Sequence, residues 1–336
     1  MVRRKLILKC MLSPSAIVML TAAVRDLHKS CPGQFITDVR TSVPEFWLHN
    51  PWIVPLHEGD PDVEIVECRF PLIHRSNKTP CHFIYGFLEY LGELLAVKTT
   101  PSRFSGDLHL SAEEKGWMSQ VEEITGECIP YWIIAPGGNY DVTIKWWSDS
   151  RYQEVVDAFR GRIQFVQVGD RRHYNPCLSG VLDLTGSTDL RQLVRLTYNS
   201  QGVLCPVNLM MHLAAALDTP EGQNRRPCVV VAGGREPVQW VAYPHHQFLH
   251  TVGALPCCDN GGCWKARTVR LGDGAPQDEP ERLCVNLAGA LPRCMDMIRT
   301  ADVVDAIERY FEGGVIHYLT SREVEICDDA MRSWTT

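Results

Sequence analysis

The feature that most limits how this chain can fold is a rhythm. Short apolar runs that end in a glycine or a turn alternate with longer stretches whose apolar residues recur at helical spacing. KLILKC, residues 5–10, reads as a buried strand, and IVMLTAAVRDLHKSCPG as the helix that follows, stopped by Pro32 and Gly33. FITDVRTS and VEIVECRFP read as two further strands, and HFIYGFLEYLGELLAV as a second helix. The rhythm restarts at YWIIAPGG and runs through RYQEVVDAFRGR, IQFVQVGD, LRQLVRLTYNS, GVLCP, NLMMHLAAAL and CVVVAGG. Strand–helix–strand units of this length predict parallel, doubly wound sheets. Two such series predict two Rossmann-like domains, at 1–127 and 128–298, facing a central cleft. The polar stretch 108–127 would carry the crossover, and a C-terminal segment, 299–336, would pack its helix back on the body. Ligands of such sheets bind beyond the carboxyl ends of the strands. The glycine-rich pieces APGG, VGD and VAGGRE all fall there. None is a GxGxxG fingerprint and no GK[ST] follows, which disfavours a nicotinamide oxidoreductase and a P-loop phosphotransferase.

Composition narrows the class. The chain has 336 residues, 45% hydrophobic and 22% charged, a globular balance. Its formal charge of −7 argues against a dedicated nucleic-acid binder, which shows a basic footprint. No apolar window reaches the length of a membrane span. The opening residues resemble a signal peptide only superficially, because Ser13, Pro14 and Ser15 interrupt the apolar run. The expected compartment is therefore cytoplasmic, where thiols stay reduced.

Several residues at the strand ends carry candidate chemistry. Asn208 is a good N-cap. The first-turn amides of Asn208, Leu209 and Met210, with the positive helix end behind them, would form a diphosphate site. His212 falls one turn in and would donate to a phosphate oxygen, though taken alone a packed histidine is the better reading of a half-apolar helix. Lys145, at the end of DVTIKWW, is placed after a strand to neutralise phosphate, or is simply solvated. In VAGGREPVQW, Gly234 allows close backbone approach, Arg235 can pair with phosphate and Glu236 can accept from ribose hydroxyls. The alternative is a structural Arg235–Glu236 pair. His246 and His250 have the i, i+4 spacing of a helical metal pair, but no HExxH accompanies them, so zinc catalysis there is a minor reading.

The ordered pieces IVMLTAAVRDLHKSCPG, KWWSDSRYQEVVDAF, LTGSTDLRQLVRL, NLMMHLAAAL and GREPVQWVAYP resemble glycosyltransferase family 9, the ADP-heptose heptosyltransferases. The resemblance implies a GT-B fold, inverting transfer from a nucleotide-diphospho-sugar (an ADP-sugar first) and no catalytic metal. By it, Lys145, His212 and the amides near Asn208 and Leu209 hold the donor diphosphate. It places the acceptor, whose identity stays open, in the first half, where His82 and Tyr85 would line it. Packed aromatics at a helix start are the plainer reading of both.

Two departures matter. Where the family has Asp–Thr–Gly before its helical histidine, this chain has Val207, Asn208 and Leu209. Where it has Gly–Asp at the first turn, with the aspartate as general base, this chain has Ser15 and Ala16. A methyl group takes no proton. Another group serves, or the chemistry is lost and the chain is a non-catalytic nucleotide-sugar binder, or, as the reading favoured here, Ala16 marks a deliberate Asp-to-Ala variant.

Five of the 14 cysteines fall between 257 and 294. In a reduced compartment such clustering favours a metal over a disulfide. Cys258, Cys263, Cys284 and Cys294 would make a closed structural site for zinc or iron, with Cys257 or Cys258 left over. Gly261 and Gly262 would let the chain curl so that backbone amides face the sulfurs. The cluster is similar to the cysteine-held iron finger of autotransporter heptosyltransferases in the same family.

Overall fold

A computed structural model describes residues 3–70, 75–79, 81–221, 223 and 225–312. Most of the segment expected at 299–336 therefore lies outside the described residues.

The first lobe opens with β1 (Arg4–Cys10), α1 (Pro14–Ser30) and β2 (Phe35–Thr41), followed by β3 (Val63–Glu67) and α2 (Tyr85–Leu95). Among the described residues its sheet has three strands, all parallel, in the order β2-β1-β3. Helix α1 is buried without interruption from Ala16 to Leu27. That explains why it is apolar on every side from Ala16 to Val24 apart from Thr21, as an enclosed helix must be, and why Arg25 and Asp26, buried beyond them, pair with each other at 2.9 Å. The polar stretch that follows forms α3 (Ala112–Gly116) and α4 (Gln120–Thr125), each started by a serine whose side chain accepts an amide hydrogen.

The second lobe holds β4 (Tyr131–Ile134), α5 (Asp149–Ala158), β5 (Gln164–Gln167), β6 (Leu182–Asp183), α6 (Leu190–Asn199), β7 (Gly202–Pro206), α7 (Leu209–Ala216), β8 (Cys228–Gly233), α8 (Val238–Val241), β9 (His246–His250) and, after the cysteine loop, the short α9 (Arg293–Asp296). Its sheet is parallel throughout, in the order β6-β5-β4-β7-β8-β9. The strand order reverses between β4 and β7, and this is the switch point at which such sheets leave a crevice.

Both faces of this sheet are covered. Tyr131, Ile133, Val203, Cys205 and Val230 join a core that runs on through α7 into α1 and α2. Trp132, Ile134, Leu204, Val229 and Val231 face the other way, toward α5 and the last helix, α10 (Thr300–Phe311). Alternation of side chains along a strand, with apolar cover on each side, is why these strands read as unbroken hydrophobic runs. The hydroxyl of Tyr310 on α10 donates to His245 O at 2.8 Å and accepts from Gln247 N at 3.1 Å, so α10 does pack on the second sheet.

The lobes touch directly. A Cβ on Gly106 would stand 2.5 Å from Val18 on α1 and 2.8 Å from Ala216 on α7, so only a glycine lets the two helices close over it. Phe83 N donates to Trp240 O across the same boundary at 2.7 Å.

Two expectations change. Residues 140–145 form a kinked 3-10 turn rather than a strand before Lys145, with Asn139 capping Asp141 N. His246 and His250 lie on β9, not on a helix. Four residues along a strand span about 13 Å, so the two rings cannot share an ion.

Candidate functional site

Three segments converge where the strand order reverses. The turn after β4 delivers Lys145, the end of β7 delivers Val207, and the end of β8 delivers Arg235 and Glu236. Lys145 Nζ donates to Val207 O at 3.1 Å and pairs with Glu236 Oε1 at 2.5 Å. Arg235 pairs with the same carboxylate oxygen. Lys145 is thus neither solvated nor free, and the Arg235–Glu236 pair is one side of a triad. Glu236 is buried, at 5% exposure. Burial works to raise its pKa, but Arg235 and Lys145 outweigh it and hold the carboxyl below the usual range. Burial lowers the Lys145 pKa, which Glu236 opposes and Arg235 reinforces. Two cations against one anion leave a net positive charge. Glu236 Oε2 is also buried and, among the described residues, has no hydrogen-bond partner, a vacancy that natural structures seldom leave without a reason.

Helix α7 starts beside this triad. Asn208 caps it as expected, its Oδ1 accepting from Met210 N at 2.9 Å. Leu209 and Asn208 are half-buried and Met210 is buried. Gly234 fills a different place from the one expected. A Cβ there would stand 3.1 Å from Cys258 Sγ and 3.4 Å from Cys294 Cβ, so the glycine makes room for cysteines.

His212 and His82 do not stand on an open wall. Each is 3% exposed, in a seam between the lobes built around Tyr243. His212 Nδ1 shares a hydrogen with the Tyr243 hydroxyl at 2.8 Å, and that hydroxyl reaches Met19 Sδ of α1 at 3.6 Å. The rings of His82, His212 and His246 lie 5.1, 5.7 and 5.1 Å from that of Tyr243. His82 Nδ1 accepts from Ile84 N at 3.0 Å. Burial pushes the pKa of each of the three histidines down to about 3. Tyr85 opens α2 half-buried against Phe104, and burial raises its pKa. Tyr243 is absent from the sequence-derived site. Of its partners only His246 is near in sequence; Met19, His82 and His212 come from three distant segments, which no local pattern in YPHHQ reveals.

Ala16 lies in the first turn of α1 at 5% exposure, after Pro14 and with no acidic residue in that turn. Beyond the end of β1 the first lobe holds a cavity of about 360 Å³. Met11, Trp47, Leu48 and Ile53 give it an apolar lining, with Asp38 and Arg40 beside them. The Asp38 carboxylate is fully engaged by Val39 N, Leu56 N and Arg40, so it is not a free base.

The cysteine loop needs a correction. Among the described residues no three His, Cys, Asp or Glu side chains stand in metal-holding geometry. The thiols of Cys258 and Cys284 point to carbonyls instead, those of Thr251 and Leu255 for the first and Asn286 for the second. Cys263 N donates to Gly234 O and Trp264 N to Arg235 O, while the backbone amides of Lys265 and Gly234 reach the Cys263 and Cys294 sulfurs and work to lower their pKa values against burial. Yet Cys257, Cys258, Cys263, Cys284 and Cys294 all line one cavity of about 40 Å³, room for a single small guest among soft donors. Burial pushes the Cys263 thiol up to about 12. A bound cation would reverse that preference and favour the thiolates.

No protein-family model matches the chain. No curated protein matches it either. Solved structures do. A glycosyl transferase family 9 protein from Veillonella parvula superposes with a TM-score of 0.57 at 14% identity, over 74% of this chain and 86% of its own. The iron-containing dodecameric glycosyltransferase TibC from enterotoxigenic E. coli gives 0.60 at 16% identity, over 93% and 79%. TibC in complex with ADP-D-beta-D-heptose gives 0.59 at 17%, over 92% and 76%. What the chain shares with them is the GT-B fold. Among its described residues no helix is long and apolar enough to cross a membrane.

Proposed function

We propose that this chain binds a nucleotide-diphospho-sugar, with an ADP-sugar as first candidate, at the crevice between β4 and β7, and that it belongs to the glycosyltransferases. The observation that carries the reading is the triad of Lys145, Arg235 and Glu236 at the switch point, with its surplus positive charge and unpartnered carboxylate oxygen. The diphosphate lies against Lys145 and the first amides of α7, where positive charge and helix dipole add. Glu236 Oε2 accepts from a ribose hydroxyl. The acceptor enters through the cavity beyond β1 and β2 in the first lobe. Its oxygen forms the new bond to the anomeric carbon as the bond to the diphosphate breaks on the opposite face, which inverts the centre. The negative charge released onto the nucleoside diphosphate is stabilised by positioned groups rather than covalent chemistry. His212 and Tyr243 hold the lobes around this geometry.

Calorimetry with ADP tests the reading. The wild-type chain binds it, and Lys145→Ala weakens binding at least about tenfold, a loss of about 1.4 kcal/mol. Equal affinities would remove the triad from the donor site.

Ala16 favours a second reading, a binder that retains the donor site without efficient turnover. The acceptor proton has no carboxylate to receive it at residue 16. A general base is worth about 10²–10⁴ in rate. Ala16→Asp is therefore expected to raise sugar transfer by that order, and no gain would show that residue 16 is not the missing element.

The thiol cavity is proposed to hold one structural zinc or iron ion through Cys258, Cys263, Cys284 and Cys294, with Cys257 as the spare thiol. Elemental analysis of the purified chain and of a Cys263→Ser, Cys294→Ser double variant is expected to show one equivalent in the first and none in the second.

A further inference from the structure

The segment between β3 and α2 makes a contact that the donor reading does not use. The side-chain amide of Asn77, in the first lobe, grips the cysteine loop of the second with both ends. Its Nδ2 donates to Gly262 O at 2.8 Å, and its Oδ1 accepts from the Trp264 indole at 2.9 Å. Gly261, at φ 111°, lets the loop come this close, for a Cβ there would lie 3.2 Å from the Asn77 amide.

The gripped residues are laced to the donor triad. Trp264 N donates to Arg235 O at 3.1 Å and Cys263 N to Gly234 O at 3.2 Å. Arg235 Nε donates to Lys265 O at 2.7 Å, and its guanidinium lies over the Trp264 ring at 5.2 Å. On the other flank Ile144 N, next to Lys145, donates to Ala266 O at 3.1 Å. Arg267 has no exposed side-chain surface and ties the loop to Asp141 at 2.8 Å, as well as to Asp273 and Asp278. The same loop thus fixes the turn carrying Lys145 and the strand end carrying Arg235 and Glu236, and presents its outer edge to the first lobe.

We propose that Asn77 is a positioning residue for the donor corner and acts through the cysteine loop. The inference rests on the donor reading given above. A donor seated against Lys145 and Arg235 steadies residues 256–267, and the steadied loop holds Asn77 and with it the first lobe. Coupling of this kind is reciprocal, so releasing Asn77 loosens the donor's hold.

Two measurements on the full chain test it. In the first, N-ethylmaleimide labels the cysteines with and without ADP, and peptides are read by mass spectrometry. ADP is expected to slow labelling of Cys257, the exposed loop thiol outside the proposed metal set, by about tenfold, a typical coupling. The exposed Cys128 and Cys177, outside the loop, serve as internal controls and keep their rates. In the second, Asn77→Ala is expected to weaken ADP binding by about the same factor and to abolish the protection. Asn77→Asp, which keeps only the acceptor for Trp264, falls between. A residue that merely stabilises the fold would lower the melting temperature and leave both the ADP affinity and the protection intact, and that result overturns the proposal. If Asn77→Ala does not fold, the wild-type labelling decides, since an unprotected Cys257 at saturating ADP overturns it equally. Absence of any ADP binding by the wild-type chain overturns the donor reading and this inference together, whereas normal binding untouched by Asn77→Ala overturns the inference alone.

Discussion

The donor corner and the interlobe seam are both buried and both polar, yet they are built to opposite rules. The corner gathers Lys145, Arg235 and Glu236, keeps a surplus positive charge and leaves a carboxylate oxygen without a partner. The seam gathers His82, His212, His246 and Tyr243 and turns its rings into each other. It too leaves buried nitrogens without a partner among the described residues, His82 Nε2 and His246 Nδ1, so the difference between the two regions is charge: the corner keeps a surplus cation, whereas burial holds the seam histidines neutral.

Acid breaks the seam first. Burial holds His82, His212 and His246 at about 3, below the unfolded value of about 6.5. The unfolded chain therefore binds more protons between those limits, and stability present above pH 6.5 is lost as pH falls toward 3. Each histidine contributes about 1.4 kcal/mol per pH unit, so the three together cost about 7 kcal/mol between pH 6.5 and 4.5. Denaturant titrations over that window are expected to show the fall, and the ring-proton resonances of all three histidines to stay in their neutral positions. The corner responds to removal of its anion. Glu236→Ala leaves Lys145 and Arg235 buried without their partner, a loss of about 3–5 kcal/mol, measurable by the same titration at pH 7.5.

Gly106→Ala sharpens the comparison from the side of assembly. Its methyl would enter the contact between α1 and α7, and overpacking of this kind costs about 1–3 kcal/mol. Tyr243→Phe removes one hydrogen bond to His212 and leaves the ring stacking, for a loss near 1 kcal/mol. ADP affinity should stay within about twofold of wild type in this last variant. A large loss would mean that the seam touches the donor after all.

The alternation of strands and helices was readable because a parallel sheet covered on both faces writes itself as short, unbroken apolar runs. That pattern located β1–β5, β7 and β8 and the main helices. It missed β6, which is two residues long, and β9, whose HQFLH is half-exposed and carries histidines at a spacing that suggests a helix. Arg235 and Glu236 were legible because they follow a strand end, whereas Lys145 was singled out by an expected strand that is a 3-10 turn. Their mutual pairing was not, since it depends on strand order, which no local pattern states. The surroundings of His212 and His82 were not legible for a related reason. Their neighbours, Tyr243, Phe83 and Phe104, come from distant segments, and burial by distant segments leaves no mark at the residue itself. The clustering of the five cysteines was legible and they line one cavity, though not in the geometry of a formed metal site, and the directions of the sulfurs follow from carbonyls at Thr251, Leu255 and Asn286 that spacing alone does not reveal.

The account rests most heavily on where a nucleoside diphosphate sits. A crystal of the wild-type chain soaked with ADP measures this directly. The predicted result is diphosphate density between Lys145 and the first turn of α7, with a ribose hydroxyl on Glu236 Oε2. Nucleotide density elsewhere, with the Lys145–Glu236 pair undisturbed and nothing in the crevice between β4 and β7, would contradict it.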